Sequence, residues 1–178
     1  MLLALQAGAN GIPFTPVVGF LNSDYLTVRR DFKRIKDPYS GTEYVAVPAL
    51  VPDVAVIHAF QGDPSGAVVT DSFRNDRLLA MAARKTIAIV EELVDPDDLL
   101  PGRHGVYVAS VHIDAIVVAP HGAHPTACRG RYDIDAEHIM RYLEAARNKD
   151  SYQVYLEKYI TGPEDHEAYL EIVKGDAS

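Results

Sequence analysis

Six residues, Val54-Ala55-Val56-Ile57-His58-Ala59, run with a single histidine among apolar side chains, directly after the turn-forming Pro52-Asp53. An apolar run this short has the pattern of a strand buried on both faces of a parallel sheet. The segments that follow supply neighbours for it. Ala67-Val68-Val69-Thr70 leads into residues 72–84, where Phe73, Leu78, Leu79, Met81 and Ala82 recur near helical spacing, with Ser72 or Asp71 available as N-cap. Thr86-Ile87-Ala88-Ile89-Val90 comes next, and Ile113-Asp114-Ala115-Ile116-Val117-Val118 repeats the β-rich composition. Strand, helix and strand in that order predict a right-handed βαβ crossover. The expected fold class is therefore α/β, an open and mostly parallel sheet with flanking helices.

Beyond Pro120 the chain changes character. The stretch to Tyr132 is rich in Gly, His, Pro and Arg and reads as a loop. Asp135, with Glu137 and His138 after it, begins a helix carrying Ile139, Tyr142, Leu143 and Ala146. Tyr155, Leu156, Tyr159 and Ile160 mark another, and Gly162-Pro163 separates it from a last helical stretch through Tyr169 and Ile172. The C-terminal segment is thus expected to be helical. The 178 residues suit a single domain over 1–178, with no internal repeat.

A net charge of -8 argues against phosphate-backbone binding, which is driven by clustered Lys and Arg, so no nucleic-acid partner is expected. The one basic cluster, Arg29, Arg30, Lys33, Arg34 and Lys36, is interrupted or flanked by Asp31, Asp37 and Glu43 and reads as a solvated face. A single cysteine, Cys128, leaves no internal disulfide and too few thiolates for a cysteine-based zinc site, which fits a cytoplasmic origin. The apolar start, Met1 to Ala7, has no basic leader and reads as part of a helix rather than a signal peptide. No run approaches the roughly 20 apolar residues of a membrane span, so no membrane partner is expected.

The chain contains no GxGxxG loop opening a helix, no Walker A loop, no HExxH and no GxSxG elbow. Ligands of open α/β sheets bind beyond the carboxyl ends of strands, which directs attention to two loops. In the first, 58–66, His58 and Asp63 stand where a strand runs out and can transfer protons or form hydrogen bonds. The same residues also read as a backbone-satisfied histidine and a plain Asp63-Pro64-Ser65-Gly66 turn. The second, 120–126, holds His121 and His124, but no third metal ligand has an obvious spacing, and no metal is expected. Gly122 there suits close approach to a cofactor tail such as pantetheine. Glu91 and Glu92 follow a strand and point to opposite faces, one expected in solvent and one capping the next turn. Cys128 lies among Arg129, Arg131 and His124, surroundings able to lower a thiol pKa, or is simply a loop cysteine.

An ordered string of short stretches resembles the α subunits of the glutaconate CoA-transferase type, in coenzyme A transferase family I. The stretches are Ala7-Gly8-Ala9-Asn10-Gly11-Ile12-Pro13-Phe14, Leu21-Asn22-Ser23-Asp24, and Val45 to His58. They continue with Glu91-Glu92-Leu93-Val94, Gly122-Ala123-His124-Pro125-Thr126, and the spaced Tyr132 and Asp133. The resemblance covers nearly the whole chain.

It implies an open α/β domain whose active site forms with a β subunit, in a heterodimer or higher heteromer. It also implies a reaction in which a glutamate of that partner attacks an acyl-CoA and an enzyme-bound CoA thioester forms, whose CoA passes to a second carboxylic acid. No catalytic residue is then expected in this chain, and coenzyme A enters as a substrate thioester rather than a permanently bound cofactor. Ser23, His58, Gln61, Asp63, Gly66, Gly122, Ala123 and His124 are the positions expected to face substrate or CoA.

The resemblance also implies a substantial N-terminal region before the stretch that here starts at Ala7, so relative to the family this chain is expected to be truncated at that end. The family's basic residue after the Pro-Phe motif is replaced by Val17 or Val18, and the Gly-Asn closing the His58 loop is Gly66-Ala67. A related branch shares these motifs and opens steroid-derived rings as a CoA-ester hydrolase. The alternative from another class is a noncatalytic assembly subunit, held in complex by an exposed sheet edge.

Overall fold

The computed structural model describes residues 1–176. The chain folds as two units, Met1–Pro120 and the residues from His121 on. The first unit opens with helix α1 (Leu2–Ala9), which buries Ala4, Leu5 and Ala7. Gly8 lies where this helix meets the chain at Leu50. A Cβ there would stand 2.3 Å from the Leu50 carbonyl oxygen, so the close approach requires glycine.

Strand β1 (Phe14–Val17), the short helix α2 (Tyr25–Val28), β2 (Lys33–Lys36) and β3 (Glu43–Pro48) follow. The strands form an antiparallel sheet in the order β1-β3-β2, with Phe14 opposite Pro48 and Lys33 opposite Ala46. The basic cluster is a solvated face, with Arg29 paired to Asp31 at 2.7 Å and both side chains largely exposed.

Next come β4 (Ala55–Ala59), β5 (Gln61–Gly62), β6 (Val68–Asp71), helix α3 (Asp76–Ala82), β7 (Thr86–Val90), β8 (Gly105–Val108) and β9 (Ala115–Val118). Strands β4, β7 and β9 form the expected parallel sheet, with Ala55 opposite Thr86 and Ile87 opposite Ala115. Strands β5, β6 and β8 form a separate antiparallel sheet. Ile57, Ala59, Val68, Ala80, Ala88, Val90 and Val108 make one buried aliphatic cluster, against which Leu79, Ile113 and Ile116 pack. Full burial of a Val or Ile side chain stabilises the fold by about 1.5–3 kcal/mol.

Three local expectations are corrected. The strand before α3 and the strand after it belong to different sheets, so the parallel crossover runs from β4 to β7 with β5, β6 and α3 between them. Strand β4 is not buried on both faces, because Ala55, Ile57 and Ala59 point into the core while Val56 is 58% exposed. Helix α3 starts later than its apolar spacing suggests, with Asn75 at the N-cap position, while Asp71 accepts from Phe73 N in a local turn.

The second unit is helical, with α4 (Ala136–Ala145), α5 (Lys149–Leu156) running into a π-helical turn at Glu157–Thr161, and α6 (His166–Asp176). Asp135 caps α4 as expected, its Oδ1 accepting from His138 N at 2.8 Å, and Asn148 caps α5 by accepting from Ser151 N. Lys158 Nζ and Tyr159 Oη both donate to Asp176, and those bonds hold its carboxyl below the usual range. No helix among the described residues is long and apolar enough to cross a membrane.

Candidate functional site

His58 is the last residue but one of β4, and Glu91 directly follows β7, the adjacent parallel strand. Both therefore stand at the carboxyl end of the sheet, where the first turn of chain beyond each strand is placed to meet a ligand. His58 Nε2 lies 2.7 Å from Glu91 Oε1, and Glu91 is only 6% exposed. A buried carboxylate on Nε2 fixes the imidazole's orientation and forms a pair able to hold or pass a proton. This corrects the reading of His58 as satisfied by backbone, since its partner is a side chain. It also corrects the placement of one glutamate in solvent, because Glu92 Oε1 accepts from Gln61 Nε2 at 2.9 Å. The opposite orientation of adjacent strand-end residues holds, and it sends each glutamate to a different residue of the 58–66 loop.

That loop is tied to the segment after β7 through its backbone as well. Gly62 N donates to Glu92 O, and Val94 N donates to Gly62 O. A Cβ on Gly62 would press on Val90 and Ile116 at 3.1 and 3.2 Å. Asp63 then makes the turn. Its Oδ1 accepts from Ser65 N at 2.7 Å, Ser65 Oγ at 2.6 Å and Ala67 N at 3.2 Å. Burial pushes the Asp63 carboxyl up, but these donors outweigh it and hold the group below its ordinary range. Gly66 closes the turn at φ +100°, a conformation that favours glycine.

Asp63 and Gly66 line a cleft of about 350 Å³ along β9, together with Leu93, Asp114 and Val118. A further carboxylate, Asp76, has an oxygen that is buried and without a hydrogen-bond partner. Burial pushes the Asp76 carboxyl up, against the opposing charges of Arg74 and His58.

The remaining expected positions lie on other segments of the chain and make local contacts. Ser23 stands in the turn before α2, and its hydroxyl donates to Phe20 O. In the second unit Ala123 N donates to Tyr132 Oη at 3.0 Å, and the left-handed residue beside Gly122 is His121, at φ 57°. His121 stacks on Tyr132, with ring centroids 4.5 Å apart. His124 turns instead to a polar cluster, with Nε2 at 3.1 Å from Asp135 Oδ2 and Nδ1 at 2.5 Å from Tyr169 Oη. The backbone bond from His138 and then the bond to His124 hold the Asp135 carboxyl low. Burial pushes the Tyr169 hydroxyl up to about 12.

Sequence reasoning missed the roles of Glu91, Glu92 and His138, and the bond between Asp135 and His124.

A family model described as Coenzyme A transferase matches residues 1–119. The chain is 32% identical to the A subunit of 3-oxoadipate CoA-transferase from Pseudomonas knackmussii, over 89% of this chain and 56% of that protein. It is 31% identical to the A subunit of glutaconate CoA-transferase from Acidaminococcus fermentans, over 93% of this chain and 57% of the relative. It is also 31% identical to the cholesterol ring-cleaving hydrolase IpdA subunit of Rhodococcus jostii, over 90% of this chain and 58% of the relative. The crystal structure of glutaconate coenzyme A-transferase from Acidaminococcus fermentans superposes with a TM-score of 0.83 at 30% identity, covering 96% of this chain and 59% of the other. That of the decarboxylase AibA/AibB gives 0.78 at 34% identity, over 90% and 58%. The chain thus spans between half and two thirds of the length of these relatives.

Proposed function

Since the chain belongs to the coenzyme A transferase family, we propose that it is the α-type part of an acyl-CoA:carboxylate CoA-transferase, working with a β-type partner that supplies the glutamate nucleophile. The observation that carries this reading is the likeness in both sequence and fold to glutaconate CoA-transferase, over more than nine tenths of the chain. The reaction passes through a CoA thioester of the partner's glutamate, formed as the donor acyl group leaves as its carboxylate, and CoA then moves to a second carboxylic acid as the glutamate carboxylate is restored. Coenzyme A is a substrate in this scheme.

The part assigned to this chain is to bind and orient. His58, held by Glu91, and Gln61, held by Glu92, present polar groups beyond the strand ends, while Asp63 and Gly66 shape the cleft wall. Ser23, Ala123 and His124 have their polar atoms engaged within the chain, so they and Gly122 are proposed to shape loops rather than to contact the thioester. A transfer assay on this chain reconstituted with a β-type partner tests the reading. Glu91→Ala, which releases His58, is expected to lower the transfer rate about tenfold or more, given that positioned acid–base groups contribute about 10²–10⁴-fold. Glu91→Gln keeps an oxygen for His58 and is expected to retain more of the rate. Equal rates in wild type and Glu91→Ala contradict the role given to the pair.

The likeness to the ring-cleaving hydrolase subunit supports a second reading, CoA-ester hydrolysis. The partner separates the two, because a β subunit with an active-site glutamate means transfer and one without it means hydrolytic ring opening. A chain that associates with a partner but shows no turnover would be left with the assembly role, for which the exposed Val54, Val56, Val117 and Val118 on and beside β4 and β9 are suited.

A further inference from the structure

We propose that His124, Asp135 and His138 form a binding site for a divalent metal ion of the zinc class within the second unit. One ligand atom from each of the three lies within 4.8 Å of the others. Two imidazoles and a carboxylate are a common donor set for Zn²⁺, with a further position left for water.

The independent observation is His138. Its ring is 1% exposed, and its Nδ1 is buried with no hydrogen-bond partner. Its Nε2 lies 2.8 Å from Tyr155 Oη. With the proton on Nε2, donated to the tyrosine, Nδ1 carries an unshared pair buried away from water, an unfavourable arrangement that a cation relieves.

The surroundings match a metal centre in a second way. Ligating histidines hold their other ring nitrogen in an outer hydrogen bond, which fixes tautomer and orientation. Tyr155 serves His138 in this way, and Tyr169 Oη at 2.5 Å from Nδ1 serves His124. His124 Nε2 stands 3.1 Å from Asp135 Oδ2, and a cation can take the place of the proton shared between them. Asp135 caps α4 through Oδ1 and so has Oδ2 available.

Ligand atoms about 2.0–2.2 Å from one Zn²⁺ stand roughly 3.3 Å apart, so no separation has to close by more than about 1.5 Å on binding. Asp135 borders a cavity of about 360 Å³. Arg141 lines the same cavity, but its guanidinium is engaged with Asp176 and Glu137.

Cobalt is the probe, because its visible absorption reports coordination by nitrogen and oxygen. Chelator-treated full-length chain titrated with Co²⁺ is expected to bind one ion per chain, and Zn²⁺ is expected to displace it. Asp135→Asn keeps the cap, since an amide oxygen also serves as N-cap, and is expected to weaken Co²⁺ binding at least tenfold. His138→Gln is expected to abolish it. Should His138→Gln not fold, Asp135→Asn alone decides. No stoichiometric binding, or equal affinity in wild type and Asp135→Asn, overturns the site and leaves His124 as a neutral ring that accepts from Tyr169 and donates to Asp135.

Discussion

The first unit buries an aliphatic core and keeps its polar pairs at the strand ends, whereas the second places a histidine at its centre and surrounds it with tyrosines. In the first, Ile57, Val68, Val90 and Val108 close the interior without a polar atom in the side chains. In the second, His138 is in edge contact with His124, Tyr155 and Tyr159, with ring centroids between 4.7 and 5.7 Å apart. An aliphatic core is held by area removed from water and tolerates no lost volume. A polar one is held by matched hydrogen bonds and tolerates no lost partner.

Two truncations probe that contrast. Ile57→Ala removes volume from the aliphatic cluster and is expected to cost about 2–5 kcal/mol in denaturant-induced unfolding. A cost below about 1 kcal/mol would mean that the first unit is loosely packed. Tyr155→Phe changes almost no volume but strips His138 Nε2 of its partner at 2.8 Å, with an expected cost of about 1–3 kcal/mol. No measurable change there would erase the difference between the units, since the second would then be held by shape alone.

Acid provides the third test, with the smallest effect. Asp63 has a folded pKa below its ordinary 3.8, so its stabilising effect is present above that value and is lost as pH falls through the folded pKa. Wild type is therefore expected to lose stability steeply below about pH 3.8, and Asp63→Asn to show a flatter acid limb. Identical acid limbs for the two proteins would remove any role for Asp63 in acid stability.

The same contrast governs what is legible in the sequence. Periodicity and apolar runs report burial, so β4, β7, β9 and the three C-terminal helices can be read, as can the Asp135 cap and the Asp63 turn. Sheet membership cannot, because β6 carries the same β-rich composition as β7 and nothing local says which strand pairs with which. The burial of Glu91 is equally hidden. A glutamate after a strand is ordinarily exposed, and only the parallel register that sets His58 beside it supplies the partner that offsets the cost of its burial. His124 and His138 meet across a separation that no short motif spans, so the pair at 121 and 124 stands out in the sequence while the buried ring at 138 does not.

We propose that this chain binds and orients an acyl-CoA for a nucleophile carried by another subunit. Intact-mass measurement decides it, made on both chains of the complex, isolated gently from its own cells and treated briefly with an acyl-CoA. The expected result is a partner that gains the mass of coenzyme A less one water while this chain's mass stays unchanged. A CoA adduct on this chain, or a chain isolated with no partner and no adduct, would contradict that assignment.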